Sequence, residues 1–475
     1  MTPKQMLFVI VVVLLVAAVW LWKFKPWIAE PPSLEPPEFA RQMNELLGAS
    51  EASNQNSAAV QQAIAAIKAD VSDAESKAIE DADPQAVNSD DFPGNAVELV
   101  LREPPRGVAA ARAFAKQLED SHRFTVLCGV LAAGAAIEPW NPDVPVSDQL
   151  GDRITNGGER SVALWLLARM RLAAIDGQPD RSIESFEALV RLSRNRLNRL
   201  LLIDVLMGAA QAQRATEELR LEVLEHMLGE PQLARADQVL AESYPDWEKL
   251  CTYSERLLRG EGLYWLASSR TALDDSEVPN TKENRRKSYE ASVKWEAELR
   301  SVLCAEPLRP NPKDPPSLDE ALSEVIQPSG DLTKSIAASN SMVMNAAHGI
   351  RRMVAVVQGT RVMIAIERAR LRAGVLPRTL DDIPPDLRGE PTVQFTAIRY
   401  VPQADGRYNL YAFGPDGVDN AGKINESFLG DTRAGSDILL SETRREVTER
   451  QEQMDREADP TFSAPETPPT PPPDE

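Results

Sequence analysis

The feature that most constrains this chain is the amino-terminal run Met6 to Trp22, MLFVIVVVLLVAAVWLW, which no charge interrupts. A helix rises about 1.5 Å per residue, so the run spans about 25 Å, slightly short of a bilayer's hydrocarbon core. Trp20, Trp22 and Trp27 fall where aromatic rings favour the lipid–water boundary. A cleaved signal peptide is the rival reading, but Trp27 stands where a cleavage site at Ala29 needs a small residue. The expectation is an uncleaved single-pass transmembrane helix at residues 6–22. Lys4 with the terminal amine nearly balances Lys23 and Lys25, so positive charge leaves the orientation open.

The rest of the 475 residues suffices for two or three domains and a sizeable core. Fifty-two basic against 72 acidic side chains give a net charge of −20. That excludes a nucleic-acid partner, because phosphate binding needs a clustered basic face. The three cysteines, Cys128, Cys251 and Cys304, form neither a disulfide framework nor a CxxC metal site. Cys128, in TVLCGVLAAGAA, reads as a small buried hydrophobe. Whether Cys251 and Cys304 pair stays open.

After the anchor, EPPSLEPPEF reads as an extended proline stalk, followed by a polar helical segment, together residues 23–94. From Asn95 the pattern is helical. Leu164, Leu167, Ala168, Leu172 and Ile175 share a face, and Asp176-Gly177-Gln178-Pro179-Asp180 ends the run. Ile183, Phe186, Leu189 and Val190 begin the next face. Short connections of this kind imply antiparallel hairpins, so residues 95–305 read as an all-α bundle or short array. DGQPDRSIESFEALVRL resembles one tetratricopeptide-type helix pair, with no 34-residue repeat around it.

A second proline-rich break marks a linker at 306–334. Beyond it a long helix carries Ile350, Met353, Val354 and Val357 in phase and ends at Gly374. FTAIRYVPQADGRYNLYAF then reads as two strands around the Asp405-Gly406 turn. The charged, proline-rich end at 441–475 reads as a disordered tail.

Between the hairpin and Ile438 lie Gly414, Asp416, Gly417, Asp419, Asn420, Gly422, Asp431 and Asp437. Carboxylates, amides and glycines in this density suit a hard cation such as Ca²⁺, which takes six to eight oxygens. The same residues also suit a polar loop that satisfies its own backbone. Chemistry alone leaves both readings open. His122, His226 and His348 have no second histidine at ligand spacing, and no hydrolase, kinase or dinucleotide motif appears. Glu255-Arg256 is a candidate pair or simply two solvated charges.

GVLPRTLDDI, the tyrosine-rich strand, YAFGPDGVDN and SDILL together resemble the carboxy-terminal head of type II secretion major pseudopilins. The resemblance covers Ser335 to Leu440 and implies a small α+β head with calcium bound by Asp416, Asp419 and Asp437. It does not extend to the amino end, which lacks that family's peptidase site. The whole layout is similar to large membrane-anchored envelope proteins of planctomycete-type bacteria.

The expected class is therefore mainly α. It comprises a transmembrane helix, a helical-hairpin middle domain and a small α+β head at 335–440 with a β-hairpin. The expected function is non-enzymatic: a protein of the bacterial cell membrane, its soluble part outside the cytoplasm, presenting a helical surface to a protein partner. A component of a type II secretion or pilus-like assembly is the alternative, and an enzyme of unknown type comes third.

Overall fold

The computed structural model describes residues 35–81, 93–134, 136–146, 148–149, 158–244, 247–268, 330–384, 398–412, 419, 421–422 and 437–458. These form a mainly helical architecture with one small three-stranded sheet.

Helix α1 (Pro36–Leu47) begins on prolines because its first turn needs no backbone donor there. It buries Phe39, Ala40, Met43 and Leu47, one face of a 3.6-residue period. Long α2 (Glu51–Asp81) follows, then α3 (Pro93–Leu99), α4 (Val108–Asp120) and α5 (Arg123–Ala132). The central layer is α6 (Gly158–Ile175), α7 (Pro179–Leu197), α8 (Leu202–Leu224) and α9 (Glu230–Ser243). Gly177 ends α6 with φ +66°, and Gln178 N–H returns to the Ala173 carbonyl at 2.8 Å. Pro179 then opens α7, so the break is written in local backbone chemistry.

Helix α10 (Trp247–Ser268) packs on α1, and α11 (Gly330–Ala373) packs on α8 and α9. Strands β1 (Ile398–Pro402) and β2 (Tyr408–Ala412) pair antiparallel with Tyr400 opposite Leu410. β3 (Ile438–Leu439) joins β2, placing Tyr411 opposite Leu439. Helix α12 (Arg444–Ala458) ends the described chain.

The structure corrects the expected class in three places. Among the described residues no helix is long and apolar enough to cross a membrane, and the expected span at 6–22 lies outside them. The middle domain and the head share one core, which runs from Val60 to Leu440. Its cause is α11, buried all round from Met353 to Ile366, as a helix must be when it has neighbours on every side. One flank meets α8 and α9, the other meets β2 and β3. A Cβ on Gly359 would collide with Leu440, so the glycine sets how closely the sheet approaches the helix. Finally, Pro36 to Phe39 are helix where the stalk was expected, and Arg444–Ala458 is helix where a tail was expected.

A second, smaller core joins Phe39, Met43 and Leu47 to Trp140, Val146, Leu200, Leu201 and Leu263. Residues 459–475, the proline-rich linker before Gly330, Cys304 and the side chain of Cys251 lie outside the described set.

Candidate functional site

The sequence directs attention to the carboxylate loop after β2. Asp416, Asn420 and Asp431 lie outside the described residues; Asp419 and Asp437 are described and meet at one turn. That turn, Ala421-Gly422, has φ values of 58° and 75°. Ala421 N–H donates to Asp419 Oδ1 at 3.0 Å, as does the Tyr411 hydroxyl at 3.0 Å. Gly422 N–H donates to Asp437 Oδ2 at 2.8 Å. Arg399 Nε lies 3.4 Å from Asp419 Oδ2. The backbone donor at Ala421 holds the Asp419 carboxyl below its usual range, with Tyr411 and Arg399 adding to it against burial. These donors and the guanidinium keep the carboxylate ionised but take up oxygens that a cation would otherwise bind. Among the described residues no three acidic, histidine or cysteine side chains converge as a metal group. The described part of the loop therefore fits a self-satisfied turn and, by itself, not a calcium cage.

The other singled-out residues have structural surroundings. His122 and His226 both adopt positive φ, 58° and 56°, at helix junctions. The side chain of His348 is outside the described set. Arg256 donates to the Leu46 carbonyl at 3.2 Å, capping the last turn of α1. Cys128 is half-buried against the main core, and burial pushes its thiol up to about 11.

Sequence reasoning missed the buried ion clusters. In the first, Arg199 reaches Glu159 at 2.6 Å and Asp204 at 3.2 Å, and Arg196 pairs with the same two acids. Burial pushes the Glu159 carboxyl up, but Arg199 and Arg196 outweigh it and hold it below the usual range.

The second cluster joins elements far apart in sequence. Glu218 and Glu222 lie along one face of α8, with Glu225 at its C-cap. Arg171 of α6 meets Glu225 at 2.8 Å and stands 3.6 Å from Glu103. Arg444 of α12 meets Glu218 and Glu225, each at 2.8 Å. Glu222 accepts from the Ser182 hydroxyl at 2.6 Å. Burial, then the neighbouring Glu218, push the Glu222 carboxyl well above its ordinary range. Burial lowers Arg444, but Glu218 and Glu225 more than restore it.

The third cluster is Glu367 of α11, bound by Arg370 at 2.6 Å, with His226 3.8 Å away. Tyr408 sits beside it, its phenol pushed well up first by burial and then by Glu367. A readable signal did exist for the second cluster: EELRLEVLE places acids at i, i+4 and i+7, the spacing of a buried stripe.

No family model, curated protein or solved structure matches this chain.

Proposed function

We propose that this chain is a non-enzymatic binding protein of a bacterial cell membrane that presents its helical body to a protein partner outside the cytoplasm. One observation carries the reading: the buried ionisable groups are spent on joining elements. Arg444, Arg171, Arg196 and Arg199 each tie two or more segments through carboxylates. Burial raises the Cys128 thiol and the Tyr408 phenol, away from the ionised forms that attack. Membrane attachment is supported by the apolar sequence at residues 6–22 alone.

The test is cross-linking and affinity capture of the full chain from detergent-solubilised membranes. One protein recovered at constant stoichiometry is expected. A substrate turnover that Cys128→Ala or Glu222→Gln abolishes would overturn the reading.

A secretion or pilus-like assembly is the second reading. It is favoured by the order of elements, with long α11 leading into an antiparallel hairpin and a return strand. Its test is co-purification with sheared pili or with secretion complexes, and absence from both counts against it. Calcium enters only through this second reading, with Asp416 and its neighbours as the further ligands.

A further inference from the structure

Arg444 occupies a pocket whose walls come from segments far apart in the chain. Its Nη1 and Nη2 each meet one oxygen of Glu218 at 2.8 Å. Its Nε meets Glu225 Oε1 at 2.8 Å, and Nη1 also donates to the Leu101 carbonyl at 3.2 Å. Two carboxylates and a carbonyl around a planar fork are guanidinium geometry, which a lysine ammonium cannot match.

A second observation points to the same pocket. Glu222 is fully buried between Glu218 and Glu225, and its Oε1 has no hydrogen-bond partner among the described residues. A buried polar oxygen is left over between the two acids that hold the guanidinium. The charged groups around it are Glu218 and Glu225 of α8, Arg171 of α6, Arg444 of α12 and Glu103 before α4. Arg171 also faces these acids, through Glu225 and Glu103.

Among the described side chains of α12 only Arg444 and Thr448 are buried, and Val447 is half-buried. Thr448 adds one bond, accepting from Glu103 N–H at 3.0 Å. The helix carries its own cap: Thr443 N–H donates to Glu446 at 2.7 Å, and Glu446 N–H returns to the Thr443 hydroxyl at 3.4 Å.

The geometry assigns Glu218, Glu222, Glu225 and the Leu101 carbonyl to an arginine socket, filled in cis by Arg444, that accepts an arginine-bearing segment of a protein partner in its place. This deepens the proposed function and rests on it for the partner's existence. The socket's chemistry is tested without any partner, so the two can fail separately.

The experiment uses the full chain carrying Arg444→Ala. Its melting temperature should fall, and ethylguanidinium should restore much of the loss saturably while ethylammonium at equal ionic strength does not. Equal rescue by both cations, or by neither, overturns the socket. If Arg444→Ala does not fold, Arg444→Lys keeps the charge and serves instead. N-acetyl-argininamide should then raise amide exchange of the lysine variant's α12 about tenfold while leaving α8 unchanged. An equal rise with N-acetyl-lysinamide, or none, overturns displacement by arginine.

Discussion

The two ends of the described chain dock on the same helical body by opposite physics. Helix α1 buries Phe39 and Met43 completely, with the Phe39 ring edge-on to Trp140 at 4.8 Å. Its long-range polar contacts are a neutral pair, in which Asn44 donates to the Trp140 carbonyl at 3.0 Å and accepts from its N–H at 2.8 Å, and the exposed Arg256 cap on the Leu46 carbonyl. Helix α12 buries Arg444 and Thr448 instead. Apolar docking depends on area and shape and is indifferent to protonation. Charged docking depends on each partner keeping its charge, and a partner removed leaves a buried ion behind. One end is glued to the body, whereas the other is latched.

The largest expected effects are a matched pair. Phe39→Ala and Arg444→Met should each cost about 3–5 kcal/mol, the first as a core cavity and the second as a broken buried pair. What separates them is charge. A second change, Glu218→Gln, should leave the cost of Phe39→Ala level in denaturant melts. It should shrink the cost of Arg444→Met, because the carboxylate stranded by that variant is then gone. Additive costs for both variants would erase the distinction.

Glu222→Gln should have a smaller effect of opposite sign. The folded-state carboxyl of Glu222 lies above its unfolded value, so its contribution is fully present below an unfolded pKa of about 4.3 and is lost as pH rises through the folded value. Glutamine carries no proton to lose. The variant should gain on the wild type as pH rises, read as a growing difference in unfolding free energy. Glu159 supplies the contrast, because Arg199 and Arg196 hold its carboxyl low. Its contribution is present above the unfolded value and lost as pH falls through the folded one, so Glu159→Gln should hurt most at neutral pH.

Arg256→Ala removes only a surface cap from α1 and should cost about 0.3–1 kcal/mol. Calcium sets the lower end of the series. Because Asp419 and Asp437 already serve the Ala421-Gly422 turn, added calcium should leave the melting temperature unchanged. A rise that Asp437→Ala removes would show that residues outside the described set complete a calcium site.

Local chemistry was readable in the sequence, and long-range pairing was not. Gly177 and Pro179 announce the end of α6 and the start of α7, and Asp405-Gly406 announces the hairpin, because each acts through its own φ. Pro36 and Pro37 misled, since the residues that disfavour a helix interior also suit its first turn. The central place of α11 was hidden because only four of its apolar residues were read in phase, while Thr360, Arg361 and Glu367 are buried as well. Arg444 looked like part of a charged tail. Its partners Glu218 and Glu225 lie more than two hundred residues earlier, and no local pattern specifies that pairing.

The most direct test of the latch against the glue is amide hydrogen exchange of the full chain, with protection factors for α1 and α12 read from the same samples of the wild type and of Arg444→Met. In the variant α12 should lose its protection while α1 keeps its own until the whole body unfolds. Loss of both together, or an α12 as protected in the variant as in the wild type, would contradict the latch.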